Sequence, residues 1–149
     1  GKDVQKVEIV ESDPMVDLAV LKVEAAIIDN VKALQLRRSP LDNGDTVFAM
    51  GHPYGGPISI TKGIVSNREV PGVAGYGGVK IEKCIQFDAH INEGVSGGPL
   101  LDAMGQVVGL VLQRKGRSEG MAYAVPSELI LPTVYCSVGR SLKRPKISP

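Results

Sequence analysis

The chain has 149 residues, 43% of them hydrophobic, which is enough for one sizeable core and predicts a single globular unit. Its formal net charge is +1, and its 17 basic and 16 acidic residues are spread along the chain, which argues against binding to nucleic acid or to an anionic membrane. No apolar run approaches the roughly 18 residues that a membrane span needs, so the sequence contains no candidate membrane helix.

Short segments rich in valine and isoleucine follow one another along the chain, separated by turn residues at a spacing of about 8 to 12 residues. Such segments are typical of the strands of a barrel or sandwich, so the predicted fold class is all-β. In chain order the predicted strands are Val4–Val10, Leu18–Val23, Ala33–Leu36, Thr46–Met50, Ile58–Ser66, Lys80–Phe87, Pro99–Leu101, Gln106–Leu112 and Met121–Val125.

One helix is predicted, from Ser127 to about Leu142. Ser127 could cap its first turn, and Pro132 favours a late start or a kink. The segment REVPGVAGYGG, residues 68–78, contains four glycines and no periodicity, so we expect a mobile surface loop there. It could serve as a lid or a regulatory loop, or it could be only a long hairpin connection.

Cys84 and Cys136 are the only two cysteines, and they lack the spacing of metal ligands. They could be small buried hydrophobic residues or form one incidental disulfide. No metal and no cofactor is predicted.

The segment HINEGVSGGPL places Ser96 between Gly94 and the glycine pair Gly97–Gly98. A serine hydroxyl becomes a nucleophile when a base takes its proton and backbone N–H groups receive the charge that develops on the substrate oxygen. The glycines permit a tight turn that points the N–H groups of Gly94 and Ser96 into one space, so Gly94, Val95 and Ser96 form a candidate oxyanion hole. The alternative is a glycine-rich β-turn without chemistry.

Three segments, in this order, resemble the HtrA/Deg family of trypsin-like serine proteases. DPMVDLAVLKV is similar to the segment that carries the family's triad aspartate, which falls on Asp17. MGHPYGGPISITKGIVS is similar to a hairpin of the family. IQFDAHINEGVSGGPLLDAMGQVVGL, followed by MAYAVPSEL, is similar to the region around the nucleophile, which falls on Ser96, and to the start of the last helix.

The resemblance implies a trypsin-like double β-barrel with an incomplete N-terminal barrel and a C-terminal helix. Residues 1–142 would be the protease domain, and residues 143–149 a linker toward a possible PDZ domain. Substrates would be unfolded polypeptides that add a strand against Leu110, Val111, Leu112 and Gln113. His90, Ile91 and Tyr123 would lie at the pocket for the side chain before the scissile bond, although Tyr123 could equally be a core residue.

The resemblance also implies a homo-oligomer, commonly a trimer, and a location in the periplasm, the cell envelope or an organelle. The sequence departs from the family at Val95, where most relatives have Asn or Asp. A side-chain hydrogen bond that could hold the loop is therefore missing.

The expected base of the triad is also missing, because no histidine precedes Asp17. His90 is expected to line the pocket rather than act as the base, and His52 to be a turn residue hydrogen-bonded to local backbone. Three explanations remain: the chain is a fragment of a longer protease, it is an inactive relative that binds peptides, or a partner chain supplies the base.

Overall fold

The structure is a computed structural model, and it describes residues 7–24, 30–112 and 120–143. Several predictions fall outside these ranges: the first residues of the first predicted strand, the substrate contact at Gln113 and the tail after residue 143. Within the described ranges the chain forms ten strands and one α-helix, which confirms the all-β prediction. Their bounds are β1 Glu8–Asp13, β2 Leu18–Lys22, β3 Thr46–Gly51, β4 Ser59–Val70, β5 Val73–Ala74, β6 Lys80–Ile81, β7 Cys84–Phe87, β8 Pro99–Asp102, β9 Val107–Leu112, β10 Ala122–Pro126 and α1 Ser127–Lys143.

Six strands close into an antiparallel barrel in the order β10, β7, β4, β3, β8, β9. Along β3 the side chains alternate between the two faces of the sheet, and Val47 and Ala49 point into the barrel. There they pack with Phe87 and Leu100, both with no exposed surface. The barrel is therefore filled by its own side chains and provides a rigid frame for the loops at its ends.

Gly63 of β4 marks a close approach inside this frame. A Cβ atom there would overlap the backbone of Ala89 and the carboxylate of Asp88. The same carboxylate accepts a hydrogen bond of 2.6 Å from the N–H of Ile64. β4 can thus run this close to the segment after β7 only because residue 63 has no side chain.

Strands β1 and β2 form a separate two-stranded antiparallel sheet beside the barrel. A second hydrophobic cluster, which includes Leu112, Val125 and Ile130, joins this sheet to the barrel and to α1. Val16 and Leu18 pack against the same cluster. A two-stranded sheet is marginally stable alone, so these contacts hold β1 and β2 in place.

Two strand predictions are corrected by the structure. Residues 33–36 do not form a strand, since Leu36 makes only an isolated parallel bridge with Val107. The segment from Lys80 to Phe87 is two strands, because β6 leaves the barrel to pair with β5, whereas β7 stays in it.

The glycine-rich segment is more ordered than the predicted loop. β4 continues to Val70, β5 and β6 form a short hairpin, and residues 76–78 between them form a 3₁₀ turn. We call residues 71–81 the β5–β6 hairpin.

The helix begins at Ser127 and continues through Pro132, so it does not have the late start that the proline allowed. The hydroxyl of Ser127 donates 2.6 Å to the carbonyl oxygen of Arg37. Both cysteines are free thiols, which excludes the incidental disulfide; Cys84 is buried and Cys136 is exposed. Burial raises the pKa of the Cys84 thiol to about 11.

Candidate active site

Asp17 lies in the turn between β1 and β2, where its φ angle is +54°. Left-handed backbone is uncommon for residues other than glycine, although Asp tolerates it better than most. The flanking residues Val16 and Leu18 are partly buried in the second cluster, which fixes the turn against the barrel. The β5–β6 hairpin lies directly beside it, because a Cβ atom on Gly75 would come within 3.3 Å of the Asp17 Cβ.

Ser96 is held in a turn whose shape depends on Gly94. Gly94 has a φ angle of +98°, and a Cβ atom there would overlap the carbonyl oxygen of His52. The neighbouring N–H of Tyr54 donates 2.7 Å to the carbonyl oxygen of Glu93, which ties the two loops together. The turn ends as predicted in strand β8 rather than in a helix.

The N–H groups of this turn differ in what they contact. The N–H of Val95 donates 3.2 Å to the carbonyl oxygen of Asn92 inside the turn, so it is already used. Among the described residues, the N–H groups of Gly94 and Ser96 have no acceptor. These are the two groups predicted to donate to an oxyanion.

Val95 has only 7% of its surface exposed and is part of the barrel core. A Cβ atom on Gly51 would lie 2.9 Å from the Val95 Cα, so the backbone passes very close to β3 here. Val95 therefore holds the turn through packing.

One cavity of about 900 Å³ has both Asp17 and Ser96 in its wall. The two residues come from different parts of the fold, Asp17 from the two-stranded sheet and Ser96 from the end of the barrel. The structure thus brings together the two residues on which the sequence-based prediction depended. The other described residues of the wall are Val16, Leu18, Ala74, Gly75, Gly77, Gly78, Gly97, Leu110, Val111, Leu112 and Val125.

Neither histidine of the chain lines this cavity. The Nδ1 atom of His52 lies 3.0 Å from the carbonyl oxygen of Gly56, so His52 is the locally bonded turn residue that was predicted. His90 is exposed and lines a second cavity of about 570 Å³, together with Ile91 and Tyr54. Ser96 is not part of the wall of that second cavity.

The remaining predicted substrate contacts are placed as follows. Tyr123 is buried in the second cluster and lines neither cavity, and its hydroxyl lies 3.3 Å from the Nε2 atom of Gln86. Leu110, Val111 and Leu112 line the Ser96 cavity. Gln113 lies outside the described residues.

The backbone of Val111 is already occupied on the side of Ser96. Its N–H donates 2.9 Å to the carbonyl oxygen of Gly98, and its carbonyl oxygen accepts a bond of 2.8 Å from Gly97. The N–H of Val111 is therefore not available to an added substrate strand, whose regular pairing would have to begin beyond Val111. Of the predicted substrate contacts, Leu110 to Gln113, only the C-terminal end of the segment is therefore left for regular pairing with a substrate strand.

Sequence reasoning missed the β5–β6 hairpin as part of the cavity wall. The glycines of residues 68–78 did signal a loop with a possible role, but no local pattern shows which surface a loop faces. Within the part of the chain that the structure describes, no three His, Cys, Asp or Glu side chains form a metal cluster. Nor do the described residues include a helix with the length and apolar character needed to cross a bilayer.

Comparisons with known proteins indicate the family of the chain. The profile of the trypsin-like peptidase domain family matches residues 1–110. The chain is 40% identical over 134 residues to "Protease Do-like 5, chloroplastic" of Arabidopsis thaliana, a match that covers 85% of this chain and 41% of that protein. It is 36% identical over 138 residues to "Serine protease Do-like HtrB" of Bacillus subtilis, covering 89% of this chain and 30% of that protein.

Comparison with solved structures also finds HtrA-type proteases. The HtrA-type protease AlgW with a bound decapeptide superimposes with a TM-score of 0.75 and 36% sequence identity, covering 89% of this chain and 40% of that one. The chain therefore spans well under half the length of these relatives. With the closed barrel, the C-terminal helix and the family match, it belongs to the trypsin-like peptidase family and, within it, to the HtrA/Deg serine proteases.

Proposed function

We propose that the chain is the C-terminal two-thirds of the protease domain of an HtrA/Deg-type serine endopeptidase that cleaves unfolded or misfolded proteins. The observation that carries this proposal is the cavity shared by Asp17 and Ser96. The cavity brings a carboxylate and a hydroxyl from two separate sheets into one wall, and these are the two groups that a triad histidine would contact.

The reaction would be acyl transfer. Ser96 Oγ attacks the carbonyl carbon of the scissile peptide bond while a histidine, oriented by Asp17, accepts its proton. The N–H groups of Gly94 and Ser96 donate to the oxyanion of the tetrahedral intermediate. The histidine then protonates the leaving amine. In the second half of the reaction water attacks the acyl-enzyme, the histidine accepts a proton from the water, and Ser96 Oγ leaves with a proton from the histidine.

The histidine would come from a part of the protease domain that precedes this chain. In this proposal residues 1–142 belong to the protease domain and residues 143–149 lead toward a PDZ domain. Two relatives are named as chloroplastic or periplasmic, which supports an organelle or the periplasm as the location. We further propose that the protein forms homo-oligomers, with a trimer as the expected state.

A second candidate is a peptide-binding module without catalysis. Two points favour it: Val95 stands where the family resemblance implies Asn or Asp, and neither His52 nor His90 lines the Ser96 cavity. Such a protein would keep the barrel and bind extended peptides beyond Val111.

A fluorophosphonate probe separates the two functions. The protein encoded by the complete reading frame should be phosphonylated at Ser96, as mapped by mass spectrometry. Ser96→Ala should abolish the labelling, while Ser66→Ala, at an exposed position of β4, should leave it unchanged. Normal folding without labelling of the wild-type protein would contradict the protease and support the binding module.

A further inference from the structure

The carboxylate of Asp13, the last residue of β1, accepts hydrogen bonds on both of its oxygen atoms. Oδ1 accepts a bond of 3.0 Å from the N–H of Met15, two residues further along the chain. Oδ2 accepts a bond of 3.4 Å from the hydroxyl of Thr133, a residue of α1 that is only 7% exposed. Asp13 is therefore bonded both to the turn that carries Asp17 and to the C-terminal helix.

This turn is short, and Asp13 supplies the acceptors that set its path. Only residues 14–17 separate Asp13 from Leu18, its cross-strand partner in β2. The bond from the N–H of Met15 to the Asp13 side chain is that of an Asx turn. The next N–H, that of Val16, donates 3.4 Å to the carbonyl oxygen of Asp13. Two successive N–H groups of the turn thus have their acceptors on one residue.

Asp17 ends the turn in the left-handed region, with a φ angle of +54°. That conformation is costly for a residue with a side chain, and it persists only where surrounding contacts impose it. Two sets of contacts do so here: the packing of Val16 and Leu18 in the second hydrophobic cluster, and the bonds of the turn to Asp13. A change at Asp13 would therefore redirect the Asp17 carboxylate.

We propose that Asp13 is a positioning residue for the reaction at Ser96. Its two side-chain hydrogen bonds join helix α1 to the turn and direct the Asp17 carboxylate into the cavity shared with Ser96. The inference rests on the proposed function, in which Asp17 orients a histidine. It adds a residue that is not part of the cavity wall, and it makes the alignment of Asp17 dependent on α1.

A purely structural role for Asp13 would give a different result. If its bonds only stabilised the β1–β2 sheet, removing them would lower the free energy of unfolding and leave the turnover of the folded protein unchanged. If they position Asp17, removing them lowers kcat of the folded protein, because a displacement of about 1 Å in the site can cost roughly 100-fold in rate. KM should change little, because Asp13 does not line the cavity.

The test measures kcat and KM for the hydrolysis of dye-labelled casein, an unfolded protein, by the protein from the complete reading frame. Asp13→Ala should lower kcat about tenfold or more. Asp13→Asn should recover most of this loss, because its amide group can still accept from Met15 and bond to the Thr133 hydroxyl. Asn67→Ala is the matched control and should keep the wild-type kcat. The Asn67 side chain accepts a bond of the same length, 3.0 Å, from the N–H two residues on, but it lies outside the cavity wall.

A second pair of variants tests the link to α1. Thr133→Val keeps the shape of the side chain but removes the donor to Asp13, so it should lower kcat several-fold. Ser137→Ala removes a hydroxyl whose bond, of 2.7 Å to the carbonyl oxygen of Val134, stays within the helix. It should leave kcat unchanged. This pair decides the question if circular dichroism shows that Asp13→Ala does not fold.

A wild-type kcat in a folded Asp13→Ala variant, or equal kcat values for Thr133→Val and Ser137→Ala, would overturn the inference. An Asp13→Asn variant as slow as Asp13→Ala would also overturn it, since charge rather than hydrogen bonding would then be required. If the wild-type protein is active and the Asp13 and Thr133 variants match it, only the role of Asp13 is wrong. If the wild-type protein neither cleaves casein nor reacts with the fluorophosphonate, the proposed function is wrong and the inference is wrong with it.

Discussion

Replacing Gly94 with alanine should damage both the fold and the candidate oxyanion hole, whereas the same change at Gly97 should be tolerated. Both glycines have positive φ angles, +98° and +79°. An added methyl group would overlap the carbonyl oxygen of His52 at position 94 but would have no neighbour within 4 Å at position 97. The two variants therefore share the backbone strain and differ in the steric clash.

The expected magnitudes follow from these contacts. Left-handed backbone costs a residue with a side chain about 1–2 kcal/mol, which is the whole expected cost of Gly97→Ala. Gly94→Ala adds overpacking of about 1–3 kcal/mol. Displacing the His52 loop would also weaken the bond between Tyr54 and Glu93, worth about 0.5–1.5 kcal/mol. We therefore expect Gly94→Ala to lower the free energy of unfolding by about 3–6 kcal/mol.

Urea unfolding followed by circular dichroism measures the stability difference. Phosphonylation of Ser96, in the protein from the complete reading frame, measures the effect on the site, and loss of one oxyanion donor should slow it about 100-fold or more. If the two alanine variants unfold at the same urea concentration and label at the same rate, the placement of the Gly94 turn against His52 is wrong.

Four further predictions concern the barrel and its surroundings. Gly63→Ala should destabilise the chain by several kcal/mol because of the clash inside the barrel, about 1–3 kcal/mol from overpacking plus the loss of a hydrogen bond to a carboxylate. Gly139→Ala should stabilise α1 by up to about 1 kcal/mol, since residue 139 has open space around it. Equal urea midpoints for the Gly63→Ala and Gly139→Ala variants would contradict both predictions. The hydrogen bond to Glu128 raises the pKa of Lys83 above its ordinary value of 10.5. The ion pair between Lys83 and Glu128 therefore stabilises the fold below pH 10.5, and this stabilisation is lost as the pH rises through the raised pKa of Lys83. Lys83→Met should therefore cost about 0.2–1 kcal/mol near pH 8 and progressively less above about pH 10.5, as urea midpoints at the two pH values would show. Iodoacetamide at about pH 8 should modify Cys136 in the native chain and leave Cys84 intact, because a buried thiol with a raised pKa is neither accessible nor ionised. Peptide mapping identifies the modified cysteine. Modification of Cys84 in the native state would show that its buried placement is wrong.

The strands and the helix could be predicted from the sequence because their signals are local. Short apolar runs with turn residues between them define β3, β8, β9 and β10 to within one or two residues. The failures occur where the chain leaves the barrel. Residues 33–36 are apolar enough for a strand, but only the fold determines whether a partner strand is available.

The candidate site could be predicted only in part, because local patterns do not encode contacts between distant segments. The glycines around Ser96 and the sequence around Asp17 each suggested a role. Their meeting in one cavity depends on the second hydrophobic cluster, whose members are spread from Val16 to Val134. The occupied backbone of Val111 and the position of the β5–β6 hairpin are also long-range features, and no pattern within the segments encodes them.

The two halves of the site differ in how firmly the fold holds them. Ser96 is attached to a closed barrel, whereas Asp17 is attached to a two-stranded sheet outside the barrel, which is marginally stable by itself. Helix α1 packs on both β1 and β2. The hydroxyl of Thr133 in this helix donates a hydrogen bond of 3.4 Å to the carboxylate of Asp13. The same carboxylate accepts a hydrogen bond from the N–H of Met15 in the Asp17 turn. The C-terminal helix is therefore part of what positions the carboxylate, because weakening its packing would free the sheet before it disturbed the barrel. Loss of reactivity at Ser96 should consequently precede the loss of barrel structure when the protein from the complete reading frame is unfolded gradually.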